Sequence, residues 1–266
     1  MKNKPYKRRL PIRSISNFRD LGGYRTADGQ HQVRWRTLFR SGHLNRLRSI
    51  DIDRFNALKI GTVIDFRAQR EKDKEPDQLP EGSPIERIEL PILDEGNSEM
   101  MKELRRRFEA NDLEGLDTEA LMAYAYQQFP IQFGDEYRQF VQALLESNGQ
   151  PVLWHCTAGK DRAGFAAALT LRLLGVPMET IVEDYLLSGK YSKPPLRLAA
   201  TLLLFRGIKA YRLIKTMYDV EAEWIQNSFA AIEEQWGSFD AFAHDALALS
   251  DADIARLREL YLEPVD

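Results

Sequence analysis

Cys156 is the only cysteine in 266 residues, and it stands within His155-Cys156-Thr157-Ala158-Gly159-Lys160-Asp161-Arg162. The apolar stretch Pro151 to Trp154 precedes it, and Ala163 to Leu174 follows with helical character. The sequence therefore predicts a strand, a tight loop and a helix N-terminus. Such a loop turns successive backbone N–H groups toward a common point, and the helix dipole adds positive potential, so an anion is favoured there. A cysteine in that field ionises near neutral pH, since thiols at helix N-termini or beside cations fall to roughly 3.5–7.5. Arg162 can fork two parallel hydrogen bonds onto a phosphate, which lysine cannot. A thiolate beneath a cradled phosphorus atom is a nucleophile placed for phosphoryl transfer.

The elements that must position this loop follow from the hydrophobic pattern. Asp28-Gly29 signals a hairpin, with Val33 to Arg40 as the return strand, and Ser41-Gly42 opens a loop. A helix is expected from Arg48 to Leu58, a buried strand over Thr62 to Phe66, and a second strand over Ile85 to Leu93. Further helices are expected over Met100 to Phe108, Thr118 to Phe129, Phe133 to Ser147, Pro177 to Ser188 and Tyr218 to Trp236, with a last one capped at Ser250 and running to Tyr261. Strands alternating with helices argue for an α/β fold, with a mostly parallel sheet covered on both faces. The cysteine loop then lies at a strand's carboxyl end, where open α/β sheets bind ligands.

Composition bounds the chemistry. Apolar residues make up 44% and charged residues 29%, as in ordinary globular proteins, and the net charge of −3 gives no global field for nucleic acid. Any attraction of anions must be local. One cysteine excludes an internal disulfide framework and a Cys-rich zinc site. His31, His43 and His244 are scattered without metal-ligand spacing, so neither metal nor other cofactor is expected. The basic N-terminal arm is not followed by an apolar stretch of signal-peptide length, and cytoplasmic residence is the expectation, with non-classical export as the alternative. Between Leu196 and Tyr218 an apolar run is interleaved with Arg197, Arg206, Lys209, Arg212 and Lys215. That pattern fits a packed helix with a solvated basic face. The alternative is a mobile basic lid over the anion site, or a surface for peripheral contact with acidic lipid.

At this point the chain resembles the Cys-x5-Arg phosphatases, and more narrowly the atypical tyrosine phosphatases common in bacteria, related to dual-specificity and phosphoinositide phosphatases. The resemblance rests on Asn17 to Tyr24, Arg40-Ser41-Gly42-His43-Leu44, Val63 to Arg67 with Glu71, His155 to Arg162, Asp184 to Ser188, and Gly237 to Leu257, in that order. It implies one phosphatase domain over residues 1–266, a central mostly parallel sheet flanked by helices, a helical lid and a helical C-terminal part. Helical insertions or lid are expected near 95–130 and 190–220.

The resemblance also implies a metal-free reaction through phosphocysteine on phosphotyrosine, extending to phosphoserine, phosphothreonine or phosphoinositides. Cys156 would be the nucleophile, Arg162 would bind phosphate and stabilise the transition state, and the amides of Thr157, Ala158, Gly159, Lys160, Asp161 and Arg162 would form the cradle. His155 would tune the thiolate or scaffold the loop. Lys160 would add charge for a second phosphate or else face solvent. Asp94, Asp65 and Asp161 are the candidates for the general acid, and the first two also have structural readings as a helix cap and a partner of Arg67. Ala163 departs from the family, which places a threonine or serine hydroxyl after the arginine. Without that hydroxyl, breakdown of phosphocysteine should slow more than its formation. The same departure supports an alternative reading as a phosphate-recognising binding module. A sulfurtransferase is the third reading, but an arginine six residues after the cysteine fits phosphate better.

Overall fold

The computed structural model describes residues 6–80, 82–92, 115–192 and 207–265, with isolated positions between 102 and 112 and at 201 and 204. In chain order the strands are β1 (Arg19–Asp20), β2 (His31–Val33), β3 (Leu38–Ser41), β4 (Thr62–Asp65), β5 (Glu86–Glu89), β6 (Val152–His155) and β7 (Leu262–Pro264). The main sheet has the order β1-β3-β6-β4-β5, and β2 pairs with β7 in a separate ribbon. β3, β6, β4 and β5 run parallel, while β1 closes one edge antiparallel. The expected α/β architecture with a mostly parallel sheet is what forms.

β6 lies at the centre, and its residues Val152, Leu153 and Trp154 are all fully buried. Alternate side chains of a strand point to opposite faces, so a continuous apolar run means that both faces are covered. Val152 and Trp154 join Ile64 of β4 in the larger core, and Leu153 joins Val63 and Phe39 in the smaller one. The smaller core is roofed by Phe55 of α1 (Ser49–Asn56). After the short α2 (Gln69–Lys74), the larger core is built from α3 (Thr118–Gln132), α4 (Gly134–Glu146), α5 (Arg162–Leu173) and α6 (Met178–Tyr191). α5 is buried almost all round, as its lack of polar residues between Ala163 and Leu169 requires. The C-terminal part adds α7 (Gly207–Tyr218), α8 (Ala222–Trp236), α9 (Phe239–Asp245) and α10 (Asp251–Tyr261). Ser250 caps α10 through a reciprocal pair with Asp253, as its sequence signals. Among the described residues, no helix is long and apolar enough to cross a membrane.

Several boundaries differ from the expected ones for local reasons. The single return strand from Val33 to Arg40 is split, because Arg36 adopts a positive φ of 68° and the chain turns between β2 and β3. The Asp20 carboxylate accepts the Arg36 amide at 3.1 Å and fixes that turn. β5 is shorter than Ile85 to Leu93 and ends at Glu89, although Leu90 and Ile92 still donate to Asp65 O and Phe66 O. Tyr218 belongs to α7, and α8 starts only at Ala222. Asp219, Glu221 and Glu223 are acids that suit a helix N-terminus and oppose the C-terminal end of a dipole, so the chain breaks there. The helix expected from Met100 to Phe108 falls mostly outside the described residues, as do 196–200, 202, 203, 205 and 206 of the interleaved basic stretch.

Candidate active site

Between β6 and α5, residues 156–161 form a loop at the carboxyl end of the central strand, flanked by β3 and β4. Its tightest point is Gly159, at φ +69°, where any Cβ would collide with the Ser41 carbonyl. Gly42 meets the loop from the other side, and its amide donates to Ser16 O at 2.9 Å. The loop's carbonyl oxygens all have donors. His155 Nδ1 lies 3.4 Å from Cys156 O, and the His43 amide donates to Thr157 O at 3.2 Å. Asn17 Nδ2 reaches Ala158 O at 3.4 Å and Gly159 O at 2.8 Å. Arg40 donates to Gly159 O at 2.7 Å and Lys160 O at 3.3 Å. The amides of Thr157 to Asp161 donate to no protein acceptor among the described residues. They form an open nest for an anion.

The donors are themselves anchored beneath the loop. Asp184 of α6 accepts from Arg40 at 3.0 Å, from Arg19 at 3.3 Å and from the Tyr24 hydroxyl at 2.8 Å. Arg19, Arg40 and Asp184 are buried, and Ser188 adds a hydroxyl within 3.4 Å of Asn17, Arg19 and Arg40. Burial pushes Arg19 down to about 10, against the pull of Asp184. Burial alone would raise Asp184, but Arg19 and Arg40 hold its carboxyl below the usual range. Two guanidinium groups and one carboxylate leave a net positive charge under the nest.

Arg162 opens α5, and its guanidinium is clamped by Glu71 of α2, Nη1 to Oε2 at 2.6 Å and Nη2 to Oε1 at 2.9 Å. Nη1 also donates to Phe66 O and Ile92 O at 3.3 and 3.2 Å. Glu71 accepts the Thr157 hydroxyl and the Ala68 amide as well. Although burial opposes ionisation, Arg162 and these donors bring Glu71 from its ordinary 4.5 down to about 2. The pair therefore contributes stability above pH 4.5, and that contribution is lost as pH falls through about 2.

Cys156 is buried at the base of the nest. Lys160 is buried too, not solvent-facing: Nζ donates to Asp161 Oδ1 at 2.7 Å and lies 5.6 Å from the Trp224 ring of α8. Asp161 also accepts the Tyr126 hydroxyl of α3 at 2.6 Å, and Tyr185 of α6 donates to Tyr126 at 2.7 Å. Asp65 takes the partner its structural reading named, with Arg67 Nη2 at 2.7 Å and Nε at 3.0 Å from both oxygens. Asp94 lies outside the described residues. Ala163 is buried, and its carbonyl accepts Trp154 Nε1 at 3.1 Å.

Comparison with known proteins agrees with this geometry. Residues 10–263 match the tyrosine phosphatase family, which is nearly the whole chain. The chain belongs to that family. Over 253 residues the phosphatase is 34% identical to a putative tyrosine-protein phosphatase of Cupriavidus necator, covering 95% of this chain and 88% of that one. It is 31% identical over 275 residues to the triple specificity protein phosphatase PtpB of Mycobacterium tuberculosis, covering 92% and 96%. Among solved structures it is similar to P. aeruginosa TpbA, with a TM-score of 0.36 and 14% identity over 76% of this chain and 90% of that one.

The phosphatase uses more residues at this site than sequence reading assigned. Glu71 and Asp184 lay inside passages that carried the resemblance, but nothing local marked the first as the clamp of Arg162 or the second as the anchor of Arg40. Arg40 is both an ion-pair partner of Asp184 and a support of the loop. The usable signal was the arrangement itself: arginines at 19 and 40 in buried strands need a buried acid, and Asp184 lies on the buried face of its helix with Ile181, Tyr185 and Ser188.

Replacing Glu71 by Gln removes the charge that aims the Arg162 fork. Steady-state kinetics should show kcat/KM lowered by roughly 10²-fold, the cost of a misplaced catalytic group. A variant with unchanged kcat/KM would show that the arginine holds its aim without Glu71.

Proposed function

We propose that the phosphatase hydrolyses phosphotyrosine by attack of the Cys156 thiolate on phosphorus. The S–P bond forms as the P–O bond to the tyrosine ring breaks, and the leaving oxygen takes a proton from a carboxylic acid. Water then attacks phosphocysteine, inorganic phosphate leaves, and the sulfur departs as thiolate. The observation that carries this reading is the nest of loop amides, every carbonyl turned away, above a buried sulfur and beside a charged guanidinium fork. Such preorganised donors stabilise the equatorial oxygens of a loose phosphoryl transition state. Loss of phosphotyrosine hydrolysis by roughly 10³-fold or more in Cys156→Ser, measured without metal, is the expected result. Undiminished turnover in that variant would rule the mechanism out.

For the acid, the engagement of the two other candidates leaves Asp94. Both oxygens of Asp65 are engaged by Arg67, and Asp161 already receives Lys160 and Tyr126. Asp94→Asn should lower kcat by roughly 10²-fold or more on phosphotyrosine, and far less on an aryl phosphate whose leaving group needs no proton. Equal losses on both would show that Asp94 is not the acid.

One relative is named for triple specificity, and we extend this chain's range to phosphoserine and phosphothreonine on that ground, with phosphoinositides as the other class to assay. A cytoplasmic setting suits the reading, since a lone ionisable thiol must stay reduced. Ala163 supports a second feature, slow breakdown of phosphocysteine. Rapid mixing should show a burst followed by a low steady rate, and Ala163→Thr should raise the steady rate roughly tenfold through one hydrogen bond to the departing sulfur. Equal burst and steady rates in the unaltered protein would discard this step, and phosphate binding without any burst would favour a receptor.

A further inference from the structure

His155 is fully buried, and both its ring nitrogens face oxygen. Nδ1 lies 3.4 Å from the Cys156 carbonyl and 3.7 Å from Asp65 Oδ1, while Nε2 lies 3.0 Å from Asp77 Oδ2. Asp77 also accepts the Leu44 amide at 2.8 Å, and Arg67 Nη2 lies 2.9 Å from its Oδ2. One carboxylate thus ties together the loop after β3, the segment after β4 and the residue before the nucleophile. Asp65, Asp77 and His155 bring ligand-type atoms within 4.8 Å of one another. A metal ion is not needed there, because the Arg67 guanidinium already bonds both carboxylates.

We propose that Asp77 is a positioning residue for the nucleophile: it fixes the His155 ring, and through Nδ1 the Cys156 carbonyl, so that thiolate formation depends on a carboxylate that never touches substrate. The Nε2 approach to Asp77 is a close contact without hydrogen-bond alignment, and a flip of the ring would give up both it and the Nδ1 contact to the Cys156 carbonyl. Its Nδ1 side turns the Cys156 carbonyl inward and leaves the Thr157 amide to face the nest. With Asp77 removed, the ring loses its outer contact, and its orientation beside the sulfur is weakened. The other charged groups around the ring and thiol are Asp65 on β4, Arg67 after it, Arg162 on α5 with Glu71 on α2, and Tyr137 on α4. His43 faces Asp77 from the loop after β3, with Glu75 3.5 Å from its own Nε2.

The sign of the effect separates this role from simple charge removal. Deleting a negative charge acts by Coulomb's law to ease thiolate formation and lower the midpoint. Loss of the ring's partner raises it. The chain has one cysteine, so thiolate ultraviolet absorbance and the pH dependence of iodoacetamide alkylation report Cys156 alone. For Asp77→Asn the expected result is a midpoint higher by about one pH unit, with alkylation below it roughly tenfold slower. His155→Gln should shift it similarly, and the double variant should add nothing further. A midpoint unchanged or lowered in Asp77→Asn, or additive shifts in the double variant, would overturn the proposal. If Asp77→Asn does not fold, Asp77→Glu, which keeps the charge and displaces it, should give a smaller rise, and no rise would count against the proposal. The inference rests on Cys156 as nucleophile, but the readout needs no substrate, so its failure is distinct from survival of turnover in Cys156→Ser.

Discussion

A peptide unit is planar, so an N–H aimed at a ligand sends the preceding carbonyl the opposite way. Five amides turned toward one anion therefore drive five carbonyls into the protein, where each needs a donor. This constraint explains why passages far apart in sequence converge on the loop. Asn17, Arg40, His43 and His155 are the donors, and each must be held in turn. Arg40 requires a buried acid, which α6 supplies as Asp184, and Asp184 then recruits Arg19 and Tyr24. Even the Asn17 amide is bonded to α6, through Tyr191 O at 3.3 Å. The sheet places β1, β3 and β6 side by side so that these groups meet.

A second hierarchy serves charge. Arg162 would be mobile if it waited in solvent, but Glu71 and two carbonyls fix its plane beforehand, which removes most of the ordering cost from substrate binding. Glu71 balances Arg162 in formal charge, and the unbalanced positive charge near the loop comes from the Arg19–Asp184–Arg40 cluster beneath it. Lys160 and Asp161 are neutral as a pair and serve differently, tying the loop to α3 and α8 through Tyr126 and Trp224. The helices of the second half thereby become part of the loop's support.

The sequence disclosed the loop because its chemistry is contiguous: eight residues carry the nucleophile, the fork and the turn glycine. Periodicity likewise exposed α1, α3, α4, α5 and α10 to within a few residues, and β4 and β6 by their apolar runs. Pairings across long separations left no such trace. Asp77 is 78 residues from His155, and Glu71 is 91 from Arg162, so neither distance imprints a pattern on the chain. Where the reading slipped, local polarity decided. Asp20 captured the Arg36 amide and split a strand, and a run of acids at 219–223 ended one helix and began another.

The interlock of Gly159 with Ser41 and of Gly42 with Ser16 has a consequence for how such a protein diversifies. A side chain at Gly159 would strike the Ser41 and Gly42 backbone, and one at Gly42 would displace the Ser16 hydroxyl and crowd the Thr157 carbonyl. The loop is therefore resistant to gradual change at these two points. Novelty enters more easily from the periphery, through the faces of α3 and α8 that do not carry Tyr126 or Trp224. Drift on those faces would alter which molecules arrive while the proposed phosphate cradle stays fixed.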